Sequence, residues 1–288
     1  MRQPVHYTRQ YTWGPATLEL GQSTLIMGIL NITPDSFSDG GSYTSVEHAL
    51  QQARLMIEEG ADIIDIGGES TRPGHDPVSE QEELSRVIPV IEALRQHLSH
   101  IPLSIDTYKA EVARQALAAG AHIINDVWGG MADERMFAVA AEAGCPYILM
   151  HNRYDMNYTD LVTDVKKDLQ QRITLALQAG IQPDHLILDP GIGFAKHADH
   201  NLELMSRLDE LTELGYPMLL GTSRKRFIRT VLDLPADDVV EGTAATTAFG
   251  IAQGCQIIRV HDVKPNKRIA TMCDAMLQAA ESPGKYSN

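Results

Sequence analysis

Cysteine is scarce in this chain, with only Cys145, Cys255 and Cys273 among 288 residues. An odd number, widely spaced, argues against a disulfide framework and against a paired-cysteine metal site. Each is expected to be a small buried hydrophobe in a reducing compartment. Long apolar runs are also missing, and none approaches the roughly 20 residues a bilayer crossing needs. The stretch from Met1 to Pro15 lacks the charged-then-apolar order of a signal peptide. Cations are outnumbered, 24 Lys and Arg against 38 Asp and Glu, for a formal net charge of −14. That balance argues against a nucleic-acid partner, whose phosphates demand a basic face. It leaves room for an anionic small molecule, because a few cations can be focused in one cleft. The expectation is a soluble cytoplasmic protein.

What the chain does have is a repeat: an amphipathic stretch, a glycine, then a short β-rich apolar run. The glycines are Gly60, Gly120, Gly144, Gly180, Gly215 and Gly254, each where a helix C-terminus wants positive φ. Residues 45–59 show the helical part, with Ser45 as the expected N-cap. Val46, Ala49, Leu50, Ala53, Met56 and Ile57 follow the i, i+3, i+4, i+7 spacing of a buried face. Strands are predicted at 24–33, 62–67, 103–107, 122–127, 146–151, 186–190, 217–223 and 256–262. Near-continuous apolar strands separated by helices indicate a parallel sheet covered on both faces. Eight such units predict a (β/α)8 TIM barrel, α/β in class, spanning residues 24–280. Residues 1–23 are expected to form an N-terminal extension, a hairpin plug, and residues 281–288 a loose tail. No linker or low-complexity stretch suggests a second domain.

In such a barrel, polar residues at strand C-termini converge on one mouth and read as catalytic. Here nearly every strand ends that way, in Asn31, Glu69 to Arg72, Asp106, Asn125 with Asp126, His151 with Asn152, Asp189, Ser223 to Lys225, and Arg259 with His261. Any one of these could be a cap or a turn residue; eight strands ending alike are hard to explain by capping. Asp62 and Asp65, at or before mid-strand, are expected to be structural. Lys225, Arg259 and His261 come from the last two strands, where barrels commonly hold phosphate, and Asp106, Asn125 and Asp189 lie across the mouth. Cations on one wall and carboxylates on the other suit a phosphate-tailed substrate with a donor-rich head, such as a guanidine-like ring edge. The loops 33–41 and 67–74, rich in Gly, Ser and Asp, are read as lids that close on substrate.

Several long stretches resemble the dihydropteroate synthase family of folate biosynthesis, within the pterin-binding barrels. They are MGILNITPDSFSDGG from Met27, DIIDIGGESTRPG from Asp62, SIDTYKAEVARQAL from Ser104, INDVWGG from Ile124, ILDPGIGFAKH from Ile187, GTSRKRFI from Gly221 and IIRVHDV from Ile257. The resemblance covers residues 27–264. It implies condensation of hydroxymethyl-dihydropterin diphosphate with p-aminobenzoate, releasing diphosphate, by dissociative C–O cleavage. It implies pterin recognition by Asp106, Asn125, Asp189 and Lys225, and diphosphate binding by Arg259, His261 and Asn31, with Asn31 helping to hold Mg2+. Asp106, Lys225, Arg259 and His261 would carry the chemistry. Thr71, Arg72, Pro73, Phe194 and Ser223 would shape the p-aminobenzoate pocket, with Asp35 and Phe37 closing over it. The family also implies a homodimer and sensitivity to sulfonamides.

One departure from the family follows the fifth strand: many of its members carry a glycine-proline turn where this chain, like a subgroup of them, has Tyr154-Asp155-Met156-Asn157-Tyr158; His151 beside it is read as structural. Three other readings compete. A pterin-binding methyltransferase domain could share the ring-binding groups but would not need the TPDSFSDGG stretch or the cation set. A metal-dependent hydrolase would want a ligand cluster at a strand end, and His197 with His200 are instead expected at a solvated helix start. A degenerate, non-catalytic barrel would have lost site residues that here are all in place.

Overall fold

The computed structural model describes residues 5–32, 42–70 and 77–281. Eight parallel strands close into a barrel: β3 (Leu25–Asn31), β4 (Ile63–Gly67), β5 (Leu103–Asp106), β6 (Ile123–Asp126), β7 (Tyr147–Met150), β8 (Leu186–Asp189), β9 (Met218–Leu220) and β10 (Cys255–Val260). The ring shuts where β10 pairs with β3, Ile257 opposite Leu25 and Arg259 opposite Met27. Helices α1 (Ser42–Glu58), α2 (Glu80–His97), α3 (Ala110–Ala119), α4 (Met136–Ala143), α5 (Leu161–Gln178), α6 (Ala198–Ser206), α7 (Arg226–Leu232), α8 (Val240–Ala252) and α9 (Val263–Glu281) follow the strands in turn, with α7 and α8 both between β9 and β10. The (β/α)8 barrel expected from the repeat is therefore what the chain forms. All six repeat glycines take positive φ, Gly120 most strongly at 118° as the left-handed cap of α3. A residue with a Cβ would be strained there. The expected start of the first helix is corrected: it begins at Ser42, so Ser45 lies inside it.

Alternation along each strand splits the core in two. Outward residues such as Ile64, Ile66, Ile105, Ile124 and Leu188 pack under the helices. Inward residues, among them Met27, Ile63, Ile123, Ile148, Ile187, Leu219 and Ile257, fill the barrel. Ahead of the barrel, β1 (Arg9–Trp13) and β2 (Ala16–Leu20) form an antiparallel hairpin. Its Tyr11, Leu18 and Leu20 join the inner cluster, and Trp13 stacks on His122 with ring centroids 4.8 Å apart. The hairpin thus sits at the N-terminal end of the strands and leaves the other end to the polar residues. The tail expected after residue 280 falls outside the described residues, except that Glu281 closes α9. Ile187, fully buried inside the barrel, gives a test of this layering. Ile187→Ala should cost about 2–5 kcal/mol of unfolding free energy by urea titration, because a packed interior collapses only partly around a void. A loss near zero would contradict the packed interior.

Candidate active site

The same alternation aims alternate strand-end residues into the mouth. On β6, Asn125 faces inward, whereas Asp126 turns outward to the Tyr147 hydroxyl at 2.5 Å and accepts from the Trp128 and Gly130 N–H groups. On β4, Asp65 shares the inward face of Ile63 and Gly67. Arg259, on β10, crosses to it: Nε donates to Asp65 Oδ2 at 2.6 Å and Nη2 to Asp106 Oδ2 at 2.5 Å. Asn125 Nδ2 donates to the same Asp65 oxygen at 3.1 Å. Against the pull of burial, Asp65 and Asp106 hold the Arg259 guanidinium above its usual range. Burial, with Asp65 nearby, pushes the Asp106 carboxyl up to about 7 despite Arg259. One cation between two buried carboxylates cannot fully satisfy both. Asp65 Oδ1 and Asp106 Oδ1 are buried without a hydrogen-bond partner among the described residues.

Two expectations are corrected here. Cations and carboxylates do not occupy separate walls; Arg259 reaches across and interleaves with the acids, because a long guanidinium spans the narrow barrel. Asp65 is no remote structural residue but the buried seat of Arg259. Its sign in the sequence was strand period: it lies two residues before Gly67, hence on the mouth-facing side. Asp62 does stay structural, accepting from Ile26 N at 2.8 Å and from Lys267 Nζ at the barrel's other end.

Asp189, at the end of β8, joins this group. Its Oδ2 and the Arg259 side chain both lie 3.9 Å from where a Cβ on Gly221 would stand. Oδ1 accepts from Gly191 N at 2.7 Å. Burial pushes this carboxyl up, opposed by Lys225. Lys225 follows Arg224, a non-glycine residue at φ 58° whose guanidinium is clamped on Asp262 by bonds of 3.0 and 2.6 Å. That left-handed turn swings Lys225 inward, where Nζ donates to the Ile192 carbonyl and lies 4.7 Å over the Phe194 ring. Burial pulls Lys225 down to about 8 while Asp189 resists. Ser223 Oγ meets His261 Nδ1 at 2.9 Å, so a residue expected at p-aminobenzoate and one expected at diphosphate stand in contact.

Asn31 ends β3; its Oδ1 is 3.5 Å, and Asp106 Oδ2 3.8 Å, from a Cβ position on Gly67, which places it on the same rim. Asp35, Phe37, Thr71, Arg72 and Pro73, with both expected lids beyond Glu69 and Ser70, lie outside the described residues. His197 caps the start of α6, as expected. No group of three His, Cys, Asp or Glu able to hold a metal occurs among the described residues. A further buried cation, Lys196, which no local pattern marks as buried, sits behind the β8 turn on His151. In all, the mouth offers carboxylates to paired N–H donors, an ammonium and a guanidinium to anionic oxygens, and no activated nucleophile among the described residues.

Residues 27–261 match the family described as pterin binding enzyme. A dihydropteroate synthase of Bacillus subtilis (strain 168) is 57% identical over 263 residues, 91% of this chain and 92% of its own length. The crystal structure of a Clostridium difficile dihydropteroate synthase, solved in the presence of pteroic acid, superposes with a TM-score of 0.87 at 50% identity, over 89% of this chain and 97% of that one. The Yersinia pestis enzyme in a sulfonamide drug complex superposes at 0.86 with 43% identity, over 94% and 99%. This likeness spans the whole barrel. The chain belongs to the dihydropteroate synthase family.

Proposed function

We propose that this chain condenses hydroxymethyl-dihydropterin diphosphate with p-aminobenzoate, giving dihydropteroate and diphosphate. The observation that carries the reading is the convergence of Asp106, Asn125, Asp189, Lys225 and Arg259 on one barrel mouth. Asp189 would accept from the amino-pyrimidine edge of the pterin, with Asn125 and Asp106 completing the ring's polar contacts and Lys225 donating to its carbonyl side. Arg259, His261 and Asn31 would take the diphosphate. Ser223 and Phe194 would border p-aminobenzoate, with Thr71, Arg72, Pro73, Asp35 and Phe37 as its remaining neighbours. As the C–O bond breaks, the ionised carboxylates favour positive charge on the ring and the Arg259 guanidinium meets charge on the leaving diphosphate. The aniline nitrogen then attacks the ring-stabilised cation, which is why no activated nucleophile is required.

The donor set suits Mg2+, which binds hard oxygens and commonly uses one or two protein ligands plus substrate phosphates. Asn31 supplies such an oxygen on the rim. Bound there with diphosphate, Mg2+ would act as a Lewis acid on the leaving group. Turnover decides the reading: purified protein with the pterin diphosphate, Mg2+ and p-aminobenzoate should release diphosphate and form dihydropteroate, and a sulfonamide should compete with p-aminobenzoate. Protein that binds the pterin but never turns over would overturn it.

The pH dependence follows from burial. Lys225 is a cation below about 8, so affinity for the pterin diphosphate should fall as pH rises through that value. It should also fall in acid, where Asp189, pushed up by burial, takes a proton. Calorimetric titration across pH 5–10 checks this, and Lys225→Met should flatten the alkaline limb; an unchanged limb would remove Lys225 from the pocket.

A homodimer is part of the same proposal. Exposed apolar side chains gather on the last helices: Val231 on α7 (60% exposed), Phe249 on α8 (45%), Met272 and Met276 on α9 (59% and 55%). Exposed apolar surface on a soluble barrel favours association, and sedimentation equilibrium should return twice the chain mass. A cytoplasmic location fits the three free cysteines. No helix among the described residues is long and apolar enough to cross a membrane.

A further inference from the structure

The geometry points to Lys196 as a positioning residue: its buried ammonium, backed by His151 and Asp168, pins the turn from Pro190 to Ala195 against which Lys225, Asp189 and Phe194 are set. The inference rests on the proposed pterin site and adds a residue to its machinery.

Lys196 Nζ donates to three acceptors, His151 Nδ1 at 2.9 Å, the Gly191 carbonyl at 3.0 Å and the Phe194 carbonyl at 3.1 Å. An ammonium has three N–H groups, so all are engaged and none is left for substrate. The residue therefore acts through the turn. His151 Nε2 stands 3.1 Å from Asp168 Oδ2, and Arg153 Nε donates to the same oxygen at 2.5 Å. A carboxylate facing Nε2 fixes the tautomer with the proton there, leaving Nδ1 as the acceptor Lys196 needs. Burial and the Lys196 charge push the His151 imidazole down to about 3, so it stays neutral. Burial also draws Lys196 down, to about 7, with Asp189 opposing. The three acceptors favour its charged form, since a neutral amine would leave one of them without a donor.

The pinned turn is the surface that shapes the pterin end of the mouth. Gly191 N donates to Asp189 Oδ1, the Ile192 carbonyl takes the Lys225 ammonium, and the Phe194 ring lies beneath it. Gly193 has no side chain where a Cβ would stand 2.8 Å from Lys225 Cδ. The turn is also strained: Gly191 and Gly193 are left-handed, and so is Ala195 at φ 47°, where a Cβ is disfavoured. Such a backbone persists only when its surroundings over-determine it. Three side chains hold it: Lys196, Tyr158, whose hydroxyl donates to the Ala195 carbonyl at 2.9 Å, and Asn201, whose Oδ1 accepts from Gly193 N at 2.6 Å. Tyr158 comes from the segment after β7, so a second loop meets the turn from across the mouth rim.

The test separates position from stability. Lys196→Met keeps the side chain's length and removes its charge. It should raise KM for the pterin diphosphate about tenfold with a smaller fall in kcat, because a displaced turn misplaces Lys225 and Asp189. Asp168→Asn, at a half-buried site where folding is less at risk, should show the same split at lower amplitude. A wild-type KM in folded Lys196→Met overturns the assignment, as it does in Asp168→Asn where Lys196→Met fails to fold. So does a loss of kcat alone that tracks loss of folded protein, which is what a purely stabilising residue would give. Wild-type enzyme run alongside without turnover would sink the underlying reading instead.

Discussion

Arg259→Ala should lower kcat/KM for the pterin diphosphate by about 10²–10³-fold, the loss expected when a buried group that meets leaving-group charge is removed. The guanidinium has a second task, since it bridges Asp65 and Asp106. Without it two buried carboxylates face each other across the barrel. Removing one partner of a buried pair costs about 3–5 kcal/mol. The strain is relieved if a carboxyl takes up a proton, and Asp106, already pushed up to about 7 by burial, is placed to do so. The variant should therefore be destabilised most at alkaline pH, where that proton is lost. Two titrations separate the roles. Affinity for the pterin diphosphate should fall far more than affinity for the same pterin without its diphosphate. Equal losses would refute the diphosphate assignment and leave Arg259 as a structural counter-ion.

For Asp189→Asn the expected result is the opposite selectivity: the pterin itself binds at least tenfold more weakly with or without diphosphate. A hydrogen bond to a charged group contributes about 1.5–3 kcal/mol. The amide also puts an NH2 where the ring edge presents donors. The exchange is nearly isosteric, and the bond from Gly191 N to Oδ1 at 2.7 Å can survive on the amide oxygen, so the fold should be little affected. Unchanged affinity for the free pterin, measured by calorimetry at neutral pH, would take Asp189 out of the ring pocket.

The strands are legible in the sequence because each needs only its neighbours along the chain. The pattern predicts a strand over 186–190, and Leu186–Asp189 is one; it predicts another over 103–107, and Leu103–Asp106 is one. The glycine that closes each helix and the apolar run that follows are local, and they recur. Errors came at ends, as at Ser45, where three further residues continue the helix N-terminally. Asp106, Asn125, Asp189, Lys225 and Arg259 were legible as candidates because a parallel barrel sends every strand's C-terminus to one side. What they touch was not legible. Lys196 lies in the stretch ILDPGIGFAKH, yet nothing local marks it as buried, because its burial depends on His151 and Asp168 arriving from the end of β7 and from α5.

The order of elements, the barrel, the end that carries chemistry and the family are all legible along the chain. Each follows from periodicity or from stretches of contiguous residues. Partners belong to the folded molecule: Arg259 takes Asp65 and Asp106, 194 and 153 residues away, and Ser223 meets His261 rather than standing apart from it. Those choices depend on the stagger between neighbouring strands, such as Arg259 beside Met27 and Asp65 beside Ile29. Stagger is set by how the whole ring closes, so no single segment contains it.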